Sequence, residues 1–257
     1  GVAGDSKTTV TVSSQSLTPA GASDDAVFYI HPSDTDITLT LHTLIIDIND
    51  NTNAVAKSVF VIGTGSGGKG TLTLNTVHIY GMNAPNGVSK HVVHTLTGYL
   101  QMTAVEFHSI KMTAQCLLNP DISLVSEKQG VTFGSGVVFD GITCAGNQTS
   151  VLAVTIEDGK KLDLNNAQFT DCGTYSTATD DYGCAVKVIL KDGKGTFASS
   201  SAAFTATGNT FTKKKYGFWI SIDSTEKLSY LNQYSIPTLF TTTMTSSVLW
   251  SQNEYKH

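Results

Sequence analysis

The chain contains no arginine, and all sixteen of its basic residues are lysine. It therefore lacks the guanidinium groups with which proteins bind carboxylates and phosphates in a bidentate manner. Charged residues make up only 14% of the sequence, against about 25% in typical soluble domains. Nucleic-acid binding needs a clustered basic face, and the net charge of −5 argues against it.

Long apolar runs are missing as well. No stretch of about 18 apolar residues is present, so neither a transmembrane helix nor membrane insertion is expected. The sequence begins at Gly1 without Met, which is consistent with a mature product whose signal peptide has been removed. Asn147 starts the single N-glycosylation sequon, in a turn that contains glycine. These features favour an extracellular or cell-surface location.

Cysteine is scarce but even in number, with Cys116, Cys144, Cys172 and Cys184 and no Cys-x-x-Cys pair. In an extracellular protein this favours disulfides. Cys172 can close a short loop with Cys184, or Cys144 can meet Cys172 across neighbouring repeats. The sequence leaves all three pairings open.

No metal or cofactor site is predicted. His91 and His94 have a spacing that would suit a metal on a helix, but they lie in a strand-like run, where their imidazoles are expected on opposite faces. The Gly-rich stretch 63–70 is followed by a strand pattern, whereas a phosphate loop requires a helix there.

What the sequence does contain is an apolar spacing that recurs six times, with members two, five, seven and usually ten positions after the first. A step of two is the period of a strand with one buried face, and the step of three requires a corner between two strands. The copies begin 28 to 35 residues apart, with the fourth one residue out of phase at its start. Their members are Leu39, Leu41, Leu44, Ile46; Leu72, Leu74, Val77, Ile79, Met82; Leu100, Met102, Val105, Phe107, Ile110; Val131, Phe133, Val137, Phe139, Ile142; Leu162, Leu164, Ala167, Phe169, Cys172; and Phe197, Ala202, Phe204.

This period indicates stacked units, none of which can bury its apolar face alone. Each unit contains three short strands joined by Gly-rich or charged turns and one tight polar corner. We therefore predict an all-β fold, a single-stranded parallel β-helix (solenoid) of about six to seven three-strand rungs. A β-sandwich is the competing architecture and would show hairpin turns such as Asn-Gly, but Asn86-Gly87 is the single Asn-Gly pair and it lies in a variable loop.

The segment 161–172, KLDLNNAQFTDC, resembles the rungs of repetitive surface and adhesin-type proteins in the right-handed parallel β-helix (pectate-lyase-like) superfamily. The segment 204–211 is similar, and the resemblance extends over roughly residues 26–222. It implies a fold and not an activity, since such solenoids include lyases, hydrolases, adhesins and structural proteins. Pectate and pectin lyases typically use an arginine as base, a role that this sequence cannot fill.

The repeat divides the chain into an N-terminal extended segment or cap (1–25), the β-helix (26–227) and an aromatic-rich C-terminal cap or assembly segment (228–257). The end rungs of a solenoid expose unpaired backbone, so a terminal segment is expected either to cap its own rod or to dock on a neighbouring molecule. The candidate assembly residues are Thr8, Val10, Val12, Tyr230, Tyr234, Phe240 and Trp250.

Aligning the copies predicts which outward side chains stack in columns. Positions six and eight of the repeat place His78, Tyr80, Glu106, His108 and Asp140 on one wall. Glu106, Asp140, His108 and His78 are candidate acid–base groups, and Tyr80, His78 and Glu106 are candidate carbohydrate contacts. The competing interpretation is that these are ordinary solvated residues of an exposed strand face.

These observations favour a secreted or surface-exposed structural protein that assembles end to end like a filament or acts as an adhesin, with further copies of itself or surface glycans as partners. The alternative is a polysaccharide-binding module or polysaccharide-degrading enzyme that uses the outward wall. A passenger domain of a larger surface protein is a third interpretation.

Overall fold

The computed structural model describes residues 7–13, 26–50, 52–63, 68–96, 98–122, 130–145, 150–157, 162–164, 166–174, 184–191, 204–207, 210–212, 218–223 and 240–243, and from residue 173 onward it describes the backbone alone. The regular structure in these residues is entirely β. No helix capable of crossing a membrane occurs among them.

The strands of the described residues follow one another in short succession. In chain order they are β1 (Thr8–Val12), β2 (Ala26–Ile30), β3 (Ile37–Asn49), β4 (Ser58–Ile62), β5 (Gly70–Asn83), β6 (Val93–Thr95), β7 (Tyr99–Thr103), β8 (Glu106–His108), β9 (Lys111–Met112), β10 (Leu118–Ile122), β11 (Gly130–Phe133), β12 (Val138–Asp140), β13 (Thr143–Cys144), β14 (Ser150–Glu157), β15 (Leu162–Asp163), β16 (Gln168–Thr170), β17 (Gly173–Thr174), β18 (Cys184–Lys191), β19 (Phe204–Thr207), β20 (Thr210–Thr212), β21 (Phe218–Asp223) and β22 (Phe240–Thr243).

Every strand pairs in parallel with a strand of the next repeat, so the repeats stack into faces. Face 1 consists of the first halves of β3 and β5 with β7 and β11, and continues through β15, β19 and β22. Face 2 consists of β1, the second halves of β3 and β5, and then β8, β12, β16 and β20. Face 3 runs β2-β4-β6-β10-β14-β18-β21, and β9, β13 and β17 form a short side between faces 2 and 3.

This arrangement is a parallel β-solenoid, which confirms the predicted fold class. It has about four turns, fewer than the six to seven rungs predicted from the repeat. The short side holds three strands among the described residues, so only the middle levels of the stack are closed all round by paired strands.

The tight corner between faces 1 and 2 has the same backbone conformation at successive levels. Thr43, Thr76, Ala104, Gly136 and Asn166 all have positive φ there, between 50° and 73°. A single left-handed residue bends the chain within one position, so that the chain passes from face 1 to face 2 at this corner. This conformation is the physical basis of the three-residue step in the repeat.

The core is a set of vertical ladders of inward side chains. Leu72, Leu74, Leu100 and Met102 fill face 1 and are at most 1% exposed. On face 2, the rings of Phe107, Phe139 and Phe169 stack at 5.1 and 4.8 Å between centroids, with interplanar angles of 9° and 14°. Since parallel strands place equivalent residues side by side, like residues pack on like residues along the stack.

Two details of the predicted register need revision. Val131 and Phe133 pair directly with Leu100 and Met102, and the extra residue is accommodated in the following corner, at 134–136. The sixth copy was predicted to begin at Phe197, but Phe204 pairs with Leu162 and therefore holds the first position of its repeat. The interval between Leu162 and Phe204 is longer than those between earlier copies, so the expected spacing predicted the wrong residue.

Met82 was predicted to point inward, and this is wrong, because 68% of the residue is exposed. At the equivalent corner of later levels Ser109, Gly141 and Asp171 have positive φ, whereas β5 continues through Gly81 without that turn. Ile110 therefore turns into the core, where it is fully buried, and Met82 does not.

The predicted disulfides are not found among the described residues, where Cys116, Cys144 and Cys172 are buried. Cys144 lies in register with Met112 and Thr174 on the short side. The Cys172 Sγ donates instead to the Phe139 carbonyl oxygen at 3.2 Å, so the two thiols occupy different positions around the turn. Cys184 begins β18, and its side chain lies outside the described part.

Candidate functional site

The outward wall predicted from the repeat is present as two adjacent columns on face 2. His78 is in register with Glu106, and Tyr80 is in register with His108. The next strand places Asp140 beside His108. The five side chains thus lie on three neighbouring strands, which are about 4.8 Å apart in a sheet.

His108 lies between the two carboxylates. Its Nε2–H donates to the Glu106 Oε2 at 2.9 Å, and its Nδ1 lies 3.5 Å from the Asp140 Oδ2. The hydrogen bond from His108 lowers the pKa of Glu106, an effect that burial partly opposes and that the nearby histidines and Lys7 reinforce. Glu106 is therefore held as a carboxylate, which suits a base or a hydrogen-bond acceptor and does not suit a general acid.

His78 has a different environment, because the ammonium group of Lys7 donates to its Nε2. An imidazole that accepts at Nε2 is neutral and carries its proton on Nδ1, so Nδ1–H donates to the Tyr80 hydroxyl oxygen at 3.2 Å. Burial lowers the pKa of His78 most, and Lys7 and His108 lower it further, while Glu106 raises it. The 3.6 Å separation from Glu106 is too long for a hydrogen bond.

The rings of Tyr80 and His108 stack at 5.1 Å with an interplanar angle of 16°. The wall remains accessible to solvent, with side-chain exposures of 37% for Glu106 and 48% for Asp140. It presents carboxylate acceptors, imidazole donors and a phenol on one face of the sheet, a combination suited to the hydroxyl groups of a sugar chain. In the part of the chain that the structure describes, no group of three or more His, Cys, Asp or Glu side chains is arranged to hold a metal ion.

The reasoning from sequence about His91 and His94 needs correction. Their rings lie 4.6 Å apart and not on opposite faces, because His91 precedes β6 and its backbone is not part of the strand. His91 is buried, and its Nδ1–H donates to the Cys116 carbonyl oxygen at 2.8 Å. The Cys116 Sγ lies 3.3 Å from the same nitrogen, and the Asn119 side chain donates to Nε2 at 3.4 Å.

A second candidate site is the N-terminal end of the stack, which is only half covered. β1 pairs with residues 44–48 of β3, from Thr8 opposite Leu44 to Val12 opposite Ile48. Residues 37–42 of β3 pair with β5 on one side, and no described strand pairs with their other side. Among the described residues, the sheet thus has an edge paired with β1 next to an edge that no described strand pairs with.

Burial follows this division only in part, since Leu44 lies opposite Thr8 of β1 and is nevertheless partly buried. Under β1, Ile46 and Ile48 are 1% and 0% exposed. Leu39 and Leu41 are only partly buried, although their partners one level along, Leu72 and Leu74, are fully buried. The first level therefore leaves part of the apolar ladder in contact with solvent.

Apolar side chains at the start of β3 and of β2 are also partly exposed. Ile37 is 39% exposed at the beginning of β3, and Phe28 of β2 is partly exposed while its ring stacks at 5.1 Å on the buried Phe60. We call this surface, formed by Val27, Phe28, Ile37, Leu39 and Leu41, the open end. Grouped apolar exposure of this kind commonly marks an interaction surface.

The remaining predicted residues are distributed as follows. Thr8, Val10 and Val12 lie in β1, and the backbone of Phe240 lies in β22, which pairs in parallel with β19. Asn147, Tyr230, Tyr234 and Trp250 lie outside the described residues.

Reasoning from sequence missed Lys7, which reaches the wall because β1 joins face 2. The alternating apolar residues of β1 predicted a strand, but the sequence did not show which residues of β3 this strand would pair with. It also missed the contact between His91 and Cys116, since these residues belong to neighbouring levels.

In comparisons with known proteins, no protein-family model, no curated protein and no solved structure matches this chain.

Proposed function

We propose that this protein is a structural β-solenoid of the cell exterior that associates end to end through its open end. The observation that carries the proposal is the first level, where one half of β3 is paired with β1, while the other half, next to partly buried leucines, pairs with no described strand on its outer edge. Proteins normally blunt a free edge with charge, proline or a covering segment. Residues 37–42 contain neither a charged residue nor a proline.

Other features support this proposal. The rod is built from one repeat and has long flat faces, which suit a structural role more than a catalytic cleft. The resemblance of segment 161–172 to repetitive surface proteins of the right-handed β-helix superfamily points in the same direction, as does the composition that favours secretion. Membership of that superfamily is part of the proposal.

The test is a charge placed on the open end. Ile37→Lys puts an ammonium group on the exposed edge without removing a fully buried side chain, and Met82→Lys is the matched control on the flank of the rod. Sedimentation velocity and electron microscopy over a concentration series should show linear oligomers of the natural protein. Ile37→Lys should weaken association by about tenfold or more, equivalent to roughly 1.4 kcal/mol.

Circular dichroism and the melting temperature should match between the two variants, so that loss of assembly is not loss of folding. A natural protein that stays monomeric at all concentrations, or an equal effect of Met82→Lys, would contradict the proposal.

A second candidate function is favoured by the outward wall. The ordered cluster of His78, Tyr80, Glu106, His108 and Asp140 offers several hydrogen-bonding groups and partial exposure on a surface that can follow an extended polysaccharide. Polysaccharide binding is the simpler form of this function, because the lowered pKa of Glu106 does not suit a general acid.

Glu106→Gln and Asp140→Asn test this function in a glycan-binding and turnover screen. Gln168→Ala is the control, since Gln168 is exposed on the same face two strands from Glu106. A polysaccharide whose retention falls in the two wall variants and persists in the control would establish the site. Unchanged retention or turnover in both wall variants would exclude it.

A further inference from the structure

The first and last described strands of face 1 each pair in parallel with a described strand along one edge. Its first member is the half of β3 whose outer edge pairs with no described strand, and its last member among the described strands is β22, which pairs with β19 in parallel. Leu39, Leu72, Leu100 and Val131 share one register position on this face. Leu162, Phe204 and Phe240 share one register position further along it.

We infer that the partner of the open end is a second copy of this chain, whose β22 adds in parallel to residues 37–42 of β3. Phe240 of the second copy would then take the register position opposite Leu39. This inference rests on the proposed end-to-end function and identifies the strand that docks.

The backbone of β3 is suited to such an addition. The N–H of Ile37 donates to the Lys69 carbonyl oxygen at 2.9 Å, toward β5. Because successive peptide groups of a strand point to opposite edges, those of Thr38 and Thr40 face the free edge. They offer the donors and acceptors that a parallel strand requires.

The direction of the strands favours a head-to-tail contact. Every pairing between described strands is parallel, so a copy that continues the stack keeps the same strand spacing and the same chain direction. A contact between unlike ends does not close on itself and therefore propagates into a filament. Two open ends facing each other would instead pair antiparallel and give a closed dimer.

Cysteine cross-linking tests the register directly. Leu39 opposite Phe240 places Thr40 opposite Thr241, within the distance of about 4.4–6.8 Å between Cα atoms that a disulfide needs. A mixture of Thr40→Cys and Thr241→Cys proteins should form a covalent dimer under mild oxidation. A mixture of Thr40→Cys and Thr243→Cys, two positions out of register, should form roughly tenfold less because the strand rises about 3.3 Å per residue.

The native cysteines whose side chains are described, Cys116, Cys144 and Cys172, are buried, and the natural protein serves as the blank for any background cross-linking. Selective cross-linking of Thr40→Cys with Thr241→Cys supports the inference.

Cross-linking of Thr40→Cys with itself would overturn the inference in favour of the closed dimer. Linear oligomers that give no selective cross-link would also overturn it while leaving end-to-end assembly intact. The absence of any oligomer would instead count against the proposed function.

Discussion

The ladder of stacked rings on face 2 gives the sharpest prediction about stability. Phe139 is fully buried between two rings, with centroids 5.1 Å from Phe107 and 4.8 Å from Phe169. Phe107 has one such ring neighbour and is in register with Ile79 on its other side. Phe139→Leu therefore removes two ring pairs, whereas Phe107→Leu removes one.

The expected free energies follow from this difference. A swap between large apolar side chains costs less than about 1.5 kcal/mol when the core can repack. Each stacked ring pair adds about 0.5–1.5 kcal/mol beyond its buried area. Phe139→Leu should thus destabilise the fold by roughly 2–4 kcal/mol, and Phe107→Leu by about one ring pair less.

Urea unfolding followed by far-ultraviolet circular dichroism measures both values. The double variant closes a thermodynamic cycle, and its coupling energy should be about 0.5–1.5 kcal/mol. Phe28→Leu, at the partly exposed end of the Phe28–Phe60 stack, is the control and should cost the least. Equal costs for Phe139→Leu and Phe107→Leu with a coupling energy near zero would refute the reasoning.

Three further predictions concern the corners, the packing and the wall. Ala104→Gly should stabilise the fold by roughly 0.5–1 kcal/mol in thermal unfolding, because Ala104 has φ of 50° and glycine relieves that strain; a lower melting temperature would contradict this. Gly98→Ala should destabilise the fold by about 1–3 kcal/mol or more, since the new Cβ would lie 1.9 Å from the Ile62 Cγ2. In a protein that also carries Ile62→Ala, Gly98→Ala should lower the free energy of unfolding by less. Folding lowers the pKa of both His78 and Glu106, so the fold should lose stability as the pH falls. The contribution of His78 to the free energy of unfolding decreases below its ordinary pKa of 6.5, and that of Glu106 decreases below its ordinary pKa of 4.5. His78→Gln should remove the first part of this pH dependence in unfolding titrations and Glu106→Gln the second, and unchanged profiles would show that the wall does not titrate in this way.

Strand β1 links the two candidate sites. Its pairing with β3 covers half of the first level, and it brings Lys7 to His78 on the wall. A molecule that lost this strand would expose Ile46 and Ile48 as well as the open end. The position of β1 therefore limits how much of the first level is free for a second copy.

Much of the architecture was predictable because the repeat is a direct consequence of geometry. The two-residue period with a step of three specified the strands and the corner, and the equivalent positions specified which outward residues share a column. The register of His78 with Glu106 and of Asp140 with His108 confirms those columns. The Met82 and Phe197 errors arose where a corner or a loop departs from the common length.

The functional features were less predictable, since they depend on contacts between levels and on the ends of the stack. That β1 covers residues 44–48 and leaves residues 37–42 open is a matter of register between distant segments. Leu39 and Leu72 have the same place in the repeat, yet one is partly exposed and the other fully buried. Local spacing cannot distinguish them, because burial depends on what lies at the next level.

The sequence by itself determined the strand period, the corners, the inward ladders and the absence of guanidinium chemistry, because each depends on residues close together in the chain. The tertiary structure alone decided that Lys7 and Tyr80 contact His78, that Cys144 and Cys172 occupy different positions around the turn, and that β1 covers only half of β3 among the described residues. Those properties depend on distances between residues far apart in the chain, and the stacking of successive levels is what sets those distances.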